Sequence, residues 1–225
     1  MRRVRLVLLL VTATLPAIIF LWQDGYFASS DGMIHLYRLF ELDRALHEGV
    51  LFPRWFPLSG FGYGLPVLNY YPPLTYYFAE AFHLAGVGYI AAIKLTIAAS
   101  FVIAAFSMFL FAREWLNEGA AFVAAIAYTY SPYLLSDAYV RGNFPEMLAI
   151  SVLPFALWVF ARALVDHASS FVLLCSISFA AIILTHHLTA MQFAALLLAY
   201  LAFLFFCEHG SHSAVGGSVA SQENG

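Results

Sequence analysis

Charge is what this sequence has least of. Only 10% of its 225 residues are Asp, Glu, Lys or Arg, against about 25% in soluble domains. Apolar residues make up 63% and mean hydropathy is +0.82, so a soluble globular domain is excluded. Basic excess is missing as well: a net charge of −3 offers no positive field for nucleic acid. Cysteine is scarce, and Cys175 and Cys207 both lie in apolar runs, which leaves disulfide frameworks and zinc fingers without support. Polar low-complexity sequence is confined to 208–225, rich in Gly, Ser and His. It cannot bury enough apolar surface to order itself and reads as a disordered tail. What remains is a multi-span membrane protein.

A helix needs roughly 20 apolar residues to cross the hydrocarbon core. Apolar runs over 6–22, 89–112, 120–135, 147–164, 171–185 and 188–207 predict an all-α membrane protein with about six transmembrane helices. The chain then divides into N-terminal arginines with a first transmembrane helix (1–22), a long exported loop (23–88), a five-helix bundle (89–207) and the tail (208–225). Arg2, Arg3 and Arg5 precede the first run, and no small-residue cleavage pattern follows it. This predicts an uncleaved anchor with a cytoplasmic N-terminus. The last two runs are interrupted only by His186-His187, which predicts a tight hairpin with the histidines at its turn.

The exported loop carries most of the charge. Residues 31–48 predict an amphipathic surface helix with Leu36, Leu39, Phe40, Leu42 and Leu46 on its apolar side. Ser30 or Asp31 can cap it and Gly49 can end it, while Glu41, Arg44 and Glu48 fall on its wet face. Residues 53–73, rich in Pro, Gly and aromatics, read as an interfacial cap. Residues 74–84 read as a second surface helix or a short crossing; the surface reading is taken because it gathers the polar groups on one face, with Glu80 and His83 suited to its wet side. With 74–84 on the surface, the segment after the first span, 137–146 and His186-His187 share the exported face, and Arg113, Arg162 and His167 face the cytoplasm.

Three groups of residues could carry chemistry. Asp31, His35 and Arg38 stand at i, i+4 and i+7 and share one helical stripe; a carboxylate beside an imidazole can serve as a general base, a metal site or a hydroxyl-binding pair. Asp24 lies nearby, where the first span emerges. The link 137–146 holds Asp137, Arg141 and Glu146, and an arginine fork suits a phosphate or carboxylate, although Arg141 and Glu146 can equally pair with each other. His186 and His187, beside Thr185 and Thr189, sit deep in apolar sequence, where ionisable groups face a bundle interior or a watery cavity. Lys94, near the outer end of the second span, is expected to snorkel outward.

As a set, Ser30-Asp31-Gly32-Met33-Ile34-His35-Leu36-Tyr37-Arg38, Pro53-Arg54-Trp55 and Tyr71-Pro72-Pro73-Leu74 resemble the GT-C membrane glycosyltransferases. Tyr139-Val140-Arg141-Gly142 followed by Glu146, and Thr185-His186-His187-Leu188-Thr189-Ala190, are similar to bacterial multi-pass proteins named for a "6-pyruvoyl-tetrahydropterin synthase-related" membrane domain. The resemblance covers about residues 6–206 and the N-terminal half of a GT-C fold, so partner helices are expected to complete the bundle. It implies a bacterial or archaeal cytoplasmic-membrane protein that transfers a sugar, with inversion, from a polyprenyl-phosphate donor on the exported face. Asp31 matches the superfamily's acidic residue in the first exported loop, with His35 as its catalytic companion. Arg38, Arg141, Glu146, His186, His187 and Tyr71 are then expected to bind the donor phosphate or substrate. Tyr71 stands before Pro-Pro, where some aminoarabinose-transferase-like relatives carry a cation. Metal is optional in that superfamily, so a divalent metal cofactor stays open. Two other readings also stay open: a non-enzymatic protein gripping polyprenyl lipid or partner helices, and a transporter. The transporter lacks the pair of matching Gly/Pro-broken spans that an inverted repeat would show.

Overall fold

The computed structural model describes the backbone of residues 2–166 and 168–220 and the side chains of 4–166 and 168–206. The expectations placed on His167 and on the side chains of the polar tail lie outside the described residues, while the backbone of 208–220, expected to be disordered, continues as helix. In chain order the helices are α1 (Arg2–Ile18), α2 (Gly32–His47), α3 (Val67–Tyr70), α4 (Leu74–Leu84), α5 (Tyr89–Ala112), α6 (Glu118–Thr129), α7 (Pro132–Ser136), α8 (Phe144–Asp166), α9 (Ser169–Thr185) and α10 (His187–Ala220). A 3-10 turn (Ile19–Trp22) extends α1, and a π-turn (Asp137–Arg141) follows α7. The protein is an all-α membrane protein.

Among the described residues, four stretches are long and apolar enough to cross a membrane as single helices: Val4–Trp22, Tyr89–Ala112, Phe144–Asp166 and His187–Phe206. The other two expected spans are shorter helices. Residues 120–135 are not one helix. Pro132 has no N–H to continue α6, and Ser131 caps a new helix by accepting from the Leu134 N–H at 3.4 Å. The 12-residue α6 is only about 18 Å long, short of a crossing length. α9, at 17 residues, sits at the lower limit of a crossing length.

Polar contacts define the two ends of the bundle. At one end Arg162 pairs with Asp166 at 2.6 Å and lies 3.6 Å from Glu114, which also accepts from the Trp158 indole at 2.7 Å. Arg113 pairs there with Glu118 at 3.2 Å. The opposite end gathers α2, α4, the π-turn and the α9–α10 junction. His186 alone is extended between α9 and α10, and Phe179 and Phe193 on the two arms meet at 6.1 Å. The expected hairpin is therefore closed by a single residue. α4 has 11 residues, about 16 Å of helix, too short to cross, and it packs against α2 and α5 at that same end. Lys94 reaches outward, its ammonium donating to the Gln23 carbonyl at 2.6 Å.

Several side chains depart from their expected faces. Glu41 is turned inward and accepts from the Ser59 hydroxyl at 3.3 Å, leaving only Arg44 and Glu48 to pair on the wet face, at 3.0 Å. Phe40, counted on the apolar side, is exposed. Glu80 is 1% exposed instead of solvated, because α4 presents it to Asp43 of α2. A one-dimensional helical stripe places such residues only by period, whereas α2 is covered on two sides, by α4 with α5 and by the 53–66 loop. That loop is closed by paired backbone bonds between Phe56 and Leu65, at 2.9 and 3.0 Å. Gly64 lies on the Trp55 indole, where a Cβ would come within 2.4 Å of the ring.

Candidate functional site

The local chain around Asp31 is set by two close backbone approaches. The Ser30 N–H donates to the Val140 carbonyl at 3.1 Å and the Asp31 N–H to the Arg141 carbonyl at 2.7 Å. Gly142 makes this docking sterically accessible: its φ is +68°, and a Cβ there would lie 2.4 Å from Ser29 Oγ and 3.1 Å from the Gly32 nitrogen. The π-turn is thus clasped to the start of α2, and Asp31 is held beside Arg141 although 110 positions separate them. Asp31 takes the N-cap position of α2, yet its side chain makes no capping hydrogen bond, and no described residue forms an ion pair with it. The cap expected from Ser30 or Asp31 is not made at the N-cap, where Asp31 has φ −111° and ψ −13° and so lies in the αR region instead of the extended one a capping residue uses. This leaves the carboxylate for other work.

Two networks flank Asp31. In the first, His35 Nδ1 lies 2.7 Å from the Tyr76 hydroxyl, and Arg38 Nη1 donates to the same hydroxyl at 3.1 Å. The Arg38 guanidinium stacks on Tyr71, 4.2 Å from its centroid, and has no carboxylate partner among the described residues. His35 is buried against Phe144, Tyr71 and Tyr76. Burial, with the positive charge of Arg38 and the neighbouring His186 adding to it, pushes its pKa down to about 3, so it is neutral at physiological pH.

The second network is centred on Arg141. Its Nη1 lies 2.8 Å from Glu146 and 3.0 Å from Asp137, the latter an ion-pair distance without hydrogen-bond alignment. Glu146 also accepts from the Tyr133 hydroxyl at 2.5 Å and from the Asn143 side chain at 2.9 Å. Asp137 is buried, and burial together with the Glu146 and Asp31 charges raises its pKa to about 7 despite Arg141. His186 bonds Thr189 at 2.8 Å, while Tyr71 faces both His186 and His187, with ring centroids 6.5 and 6.3 Å away. Burial lowers the His186 pKa.

All the residues singled out from the sequence therefore converge at one end of the bundle: Asp31, His35, Arg38, Tyr71, Arg141, Glu146, His186 and His187. Sequence reasoning missed Tyr76, the hydroxyl shared by His35 and Arg38, since a tyrosine within an aromatic-rich helix is indistinguishable from core. It grouped Asp137 with Arg141 and Glu146 but gave Asn143 no role, and it did not use the i, i+4 spacing that pairs Asp137 with Arg141. No three His, Cys, Asp or Glu side chains form a metal-holding group among the described residues, so these residues by themselves do not frame a cation. The larger grooves do not coincide with the polar cluster. One of about 710 Å³ lies between the end of α1, α2 and α5, and one of about 660 Å³ runs along Phe20, Phe27 and Tyr139.

A second polar contact joins α2 to α4. Asp43 accepts from the Tyr89 hydroxyl at 2.5 Å and lies 2.9 Å from His47 and 3.7 Å from His83. Glu80 faces it with both carboxylate oxygens buried and unbonded. Burial and the Asp43 charge raise the Glu80 pKa to about 7. A raised folded-state carboxyl pKa means that the native state holds more protons than the unfolded one between about pH 4.5 and pH 7, so this group's contribution to stability falls as pH climbs through that window. His35 acts oppositely, its contribution being lost as pH falls below about 6.5. The diagnostic is therefore a difference: Glu80→Gln should gain melting temperature relative to the native protein as pH rises from 4.5 to 7, in thermal melts of the detergent-solubilised chain. A pH-independent difference would show that Glu80 is ionised in the fold throughout.

Residues 68–212 match the model of a family described as "6-pyruvoyl-tetrahydropterin synthase related domain; membrane protein", more than half of the chain. The matched segment begins at α3, so Asp31, His35 and Arg38 precede it, whereas Tyr71, Arg141, Glu146, His186 and His187 lie within it. No curated protein matches, and no solved structure matches.

Proposed function

The chain belongs to the 6-pyruvoyl-tetrahydropterin synthase-related family of membrane proteins, and we propose that within it the chain acts as a glycosyltransferase of the GT-C type, using a polyprenyl-phosphate sugar on the exported face. The observation that carries this reading is the pairing of two uncommitted opposite charges in one aromatic site. Among the described residues Asp31 has neither a cap bond nor an ion pair, and Arg38 rests on Tyr71 and Tyr76 without an acid. Arg141, by contrast, is already engaged by two carboxylates. Of the two arginines, Arg38 is the one whose charge no described carboxylate offsets, which leaves it to pair with a phosphate.

In the proposed reaction the acceptor hydroxyl oxygen bonds to the anomeric carbon as the bond from that carbon to the donor phosphate oxygen breaks. The hydroxyl proton passes to Asp31 as general base. The electron pair leaves with polyprenyl phosphate, whose charge Arg38 stabilises. Neutral His35 holds the Tyr76 hydroxyl against Arg38, and Tyr71 forms the floor on which the guanidinium is oriented. His186 and His187 lie across Tyr71 at the mouth, suited to hydroxyl contacts with sugar.

Binding of decaprenyl phosphate to the reconstituted full chain tests the assignment of the anion site. Arg38→Gln should weaken binding about tenfold or more, the scale of one lost charge-assisted hydrogen bond, with Arg38→Lys intermediate because it cannot stack and fork together. Undiminished binding in Arg38→Gln removes Arg38 from the donor site. Binding without any sugar transfer from a panel of polyprenyl-phosphate sugars would leave a lipid-binding protein in place of a transferase.

A further inference from the structure

The groove of about 710 Å³ contains a cation that the Arg38 centre does not use. Lys94 lies in its wall, five positions into α5, about 7 Å below the helix start along the axis. Its ammonium donates to the Gln23 carbonyl at 2.6 Å, and no described carboxylate pairs with it. One backbone acceptor satisfies one of the three donors of an ammonium. The side chain carries the ammonium outward from that depth to the exposed Gln23, leaving two donors at the headgroup level for an anion or water. The rest of the groove is apolar: Leu36 and Phe40 of α2 and Ile90 of α5 line it. Asp24, exposed at the end of the first span, stands on its rim.

We propose that this groove is a phospholipid site: the lipid phosphate sits on Lys94, one chain lies along Leu36, Phe40 and Ile90, and Asp24 faces the headgroup amine. Three features select that occupant. The groove opens at the end of two membrane spans, where headgroups reside. Its single unpaired cation matches a phosphodiester. The carboxylate on the rim complements an aminoethyl headgroup and disfavours an anionic one. The site is separate from the Arg38 centre, since Leu36, Tyr37 and Phe40 occupy the face of α2 turned away from His35 and Tyr76, and it stands whether or not that centre transfers a sugar.

Native mass spectrometry of the full chain released from detergent micelles, titrated with dioleoylphosphatidylethanolamine or dioleoylphosphatidylglycerol, tests the proposal. One phosphatidylethanolamine should be retained per chain. Lys94→Gln should weaken it at least tenfold, Lys94→Arg should retain it, and Asp24→Asn should erase the preference over phosphatidylglycerol without abolishing binding. Arg38→Gln should leave this lipid untouched, which separates failure here from failure of the transferase reading. Equal retention by the native chain and Lys94→Gln would overturn the site. So would undecaprenyl phosphate displacing the phospholipid at equal concentration, or a second copy of the chain doing so. Should Lys94→Gln melt early in the detergent, the Asp24→Asn headgroup preference and Lys94→Arg decide the matter by themselves.

Discussion

Asp31→Asn is expected to cut sugar transfer by about 10²–10⁴-fold, the range a positioned general base contributes, while insertion and melting temperature stay unchanged. The second half of that expectation comes from geometry. The Asp31 side chain makes no capping hydrogen bond, and no described residue pairs with it, so no direct contact of the folded state is lost when it becomes an amide. The backbone bond from Asp31 N–H to the Arg141 carbonyl survives the exchange. A loss of activity at constant stability is therefore a statement about the carboxylate's charge. The measurement is transfer from polyprenyl-phosphate sugars in proteoliposomes, paired with thermal melts of the same preparations. Full activity in Asp31→Asn would take the proposed base out of the mechanism, whereas a fall in melting temperature would reveal a structural duty for the carboxylate.

The second large effect concerns stability. Arg141 is the one cation shared by Asp137, 1% exposed at its side chain, and Glu146, 10% exposed. Removing it in Arg141→Ala leaves two buried acids without a cation, Glu146 keeping only its bonds from Tyr133 and Asn143. Stripping one partner from a buried pair costs about 3–5 kcal/mol. Arg141 itself is 39% exposed, and solvent screening places the expected loss near the lower end, on the order of 3 kcal/mol. Adding Asp137→Asn should recover part of that loss, because it removes one of the two like charges. Denaturant or thermal unfolding in micelles gives both values. An unchanged Arg141→Ala protein would mean that the acids are already protonated in the native state, and the second substitution would then have no effect to reverse.

The dual engagement of Arg141 also explains the division of labour between the two arginines. Both are half-buried forks beside aromatic rings, and sequence alone gave no way to rank them as phosphate ligands. Arg141 lies on a turn whose i and i+4 positions are both charged, with Glu146 opening the next helix, so its partners are local. Arg38 lies on a helix whose stripe carries Asp31 and His35. Its partners, Tyr71 and Tyr76, come from 33 and 38 positions away.

Much was legible from the chain alone. Apolar run lengths against a bilayer of known thickness settle a membrane class, and four of the six expected spans are, among the described residues, long and apolar enough to cross as single helices. The His186-His187 break announces a hairpin because two crossing lengths cannot be one helix. Tertiary structure decided the rest. Period places a side chain on a stripe, but whether that stripe meets water, lipid or another helix depends on segments remote in sequence. Glu41 and Glu80 read as solvated until the 53–66 loop and α2 covered them, and 120–135 read as one helix until the Pro132 start divided it. The convergence of Asp31 with Arg141 depends on backbone bonds across a glycine that leaves space for Ser29. No local pattern encodes that contact, since it is made by the absence of a side chain on one strand of the chain and the closeness of another.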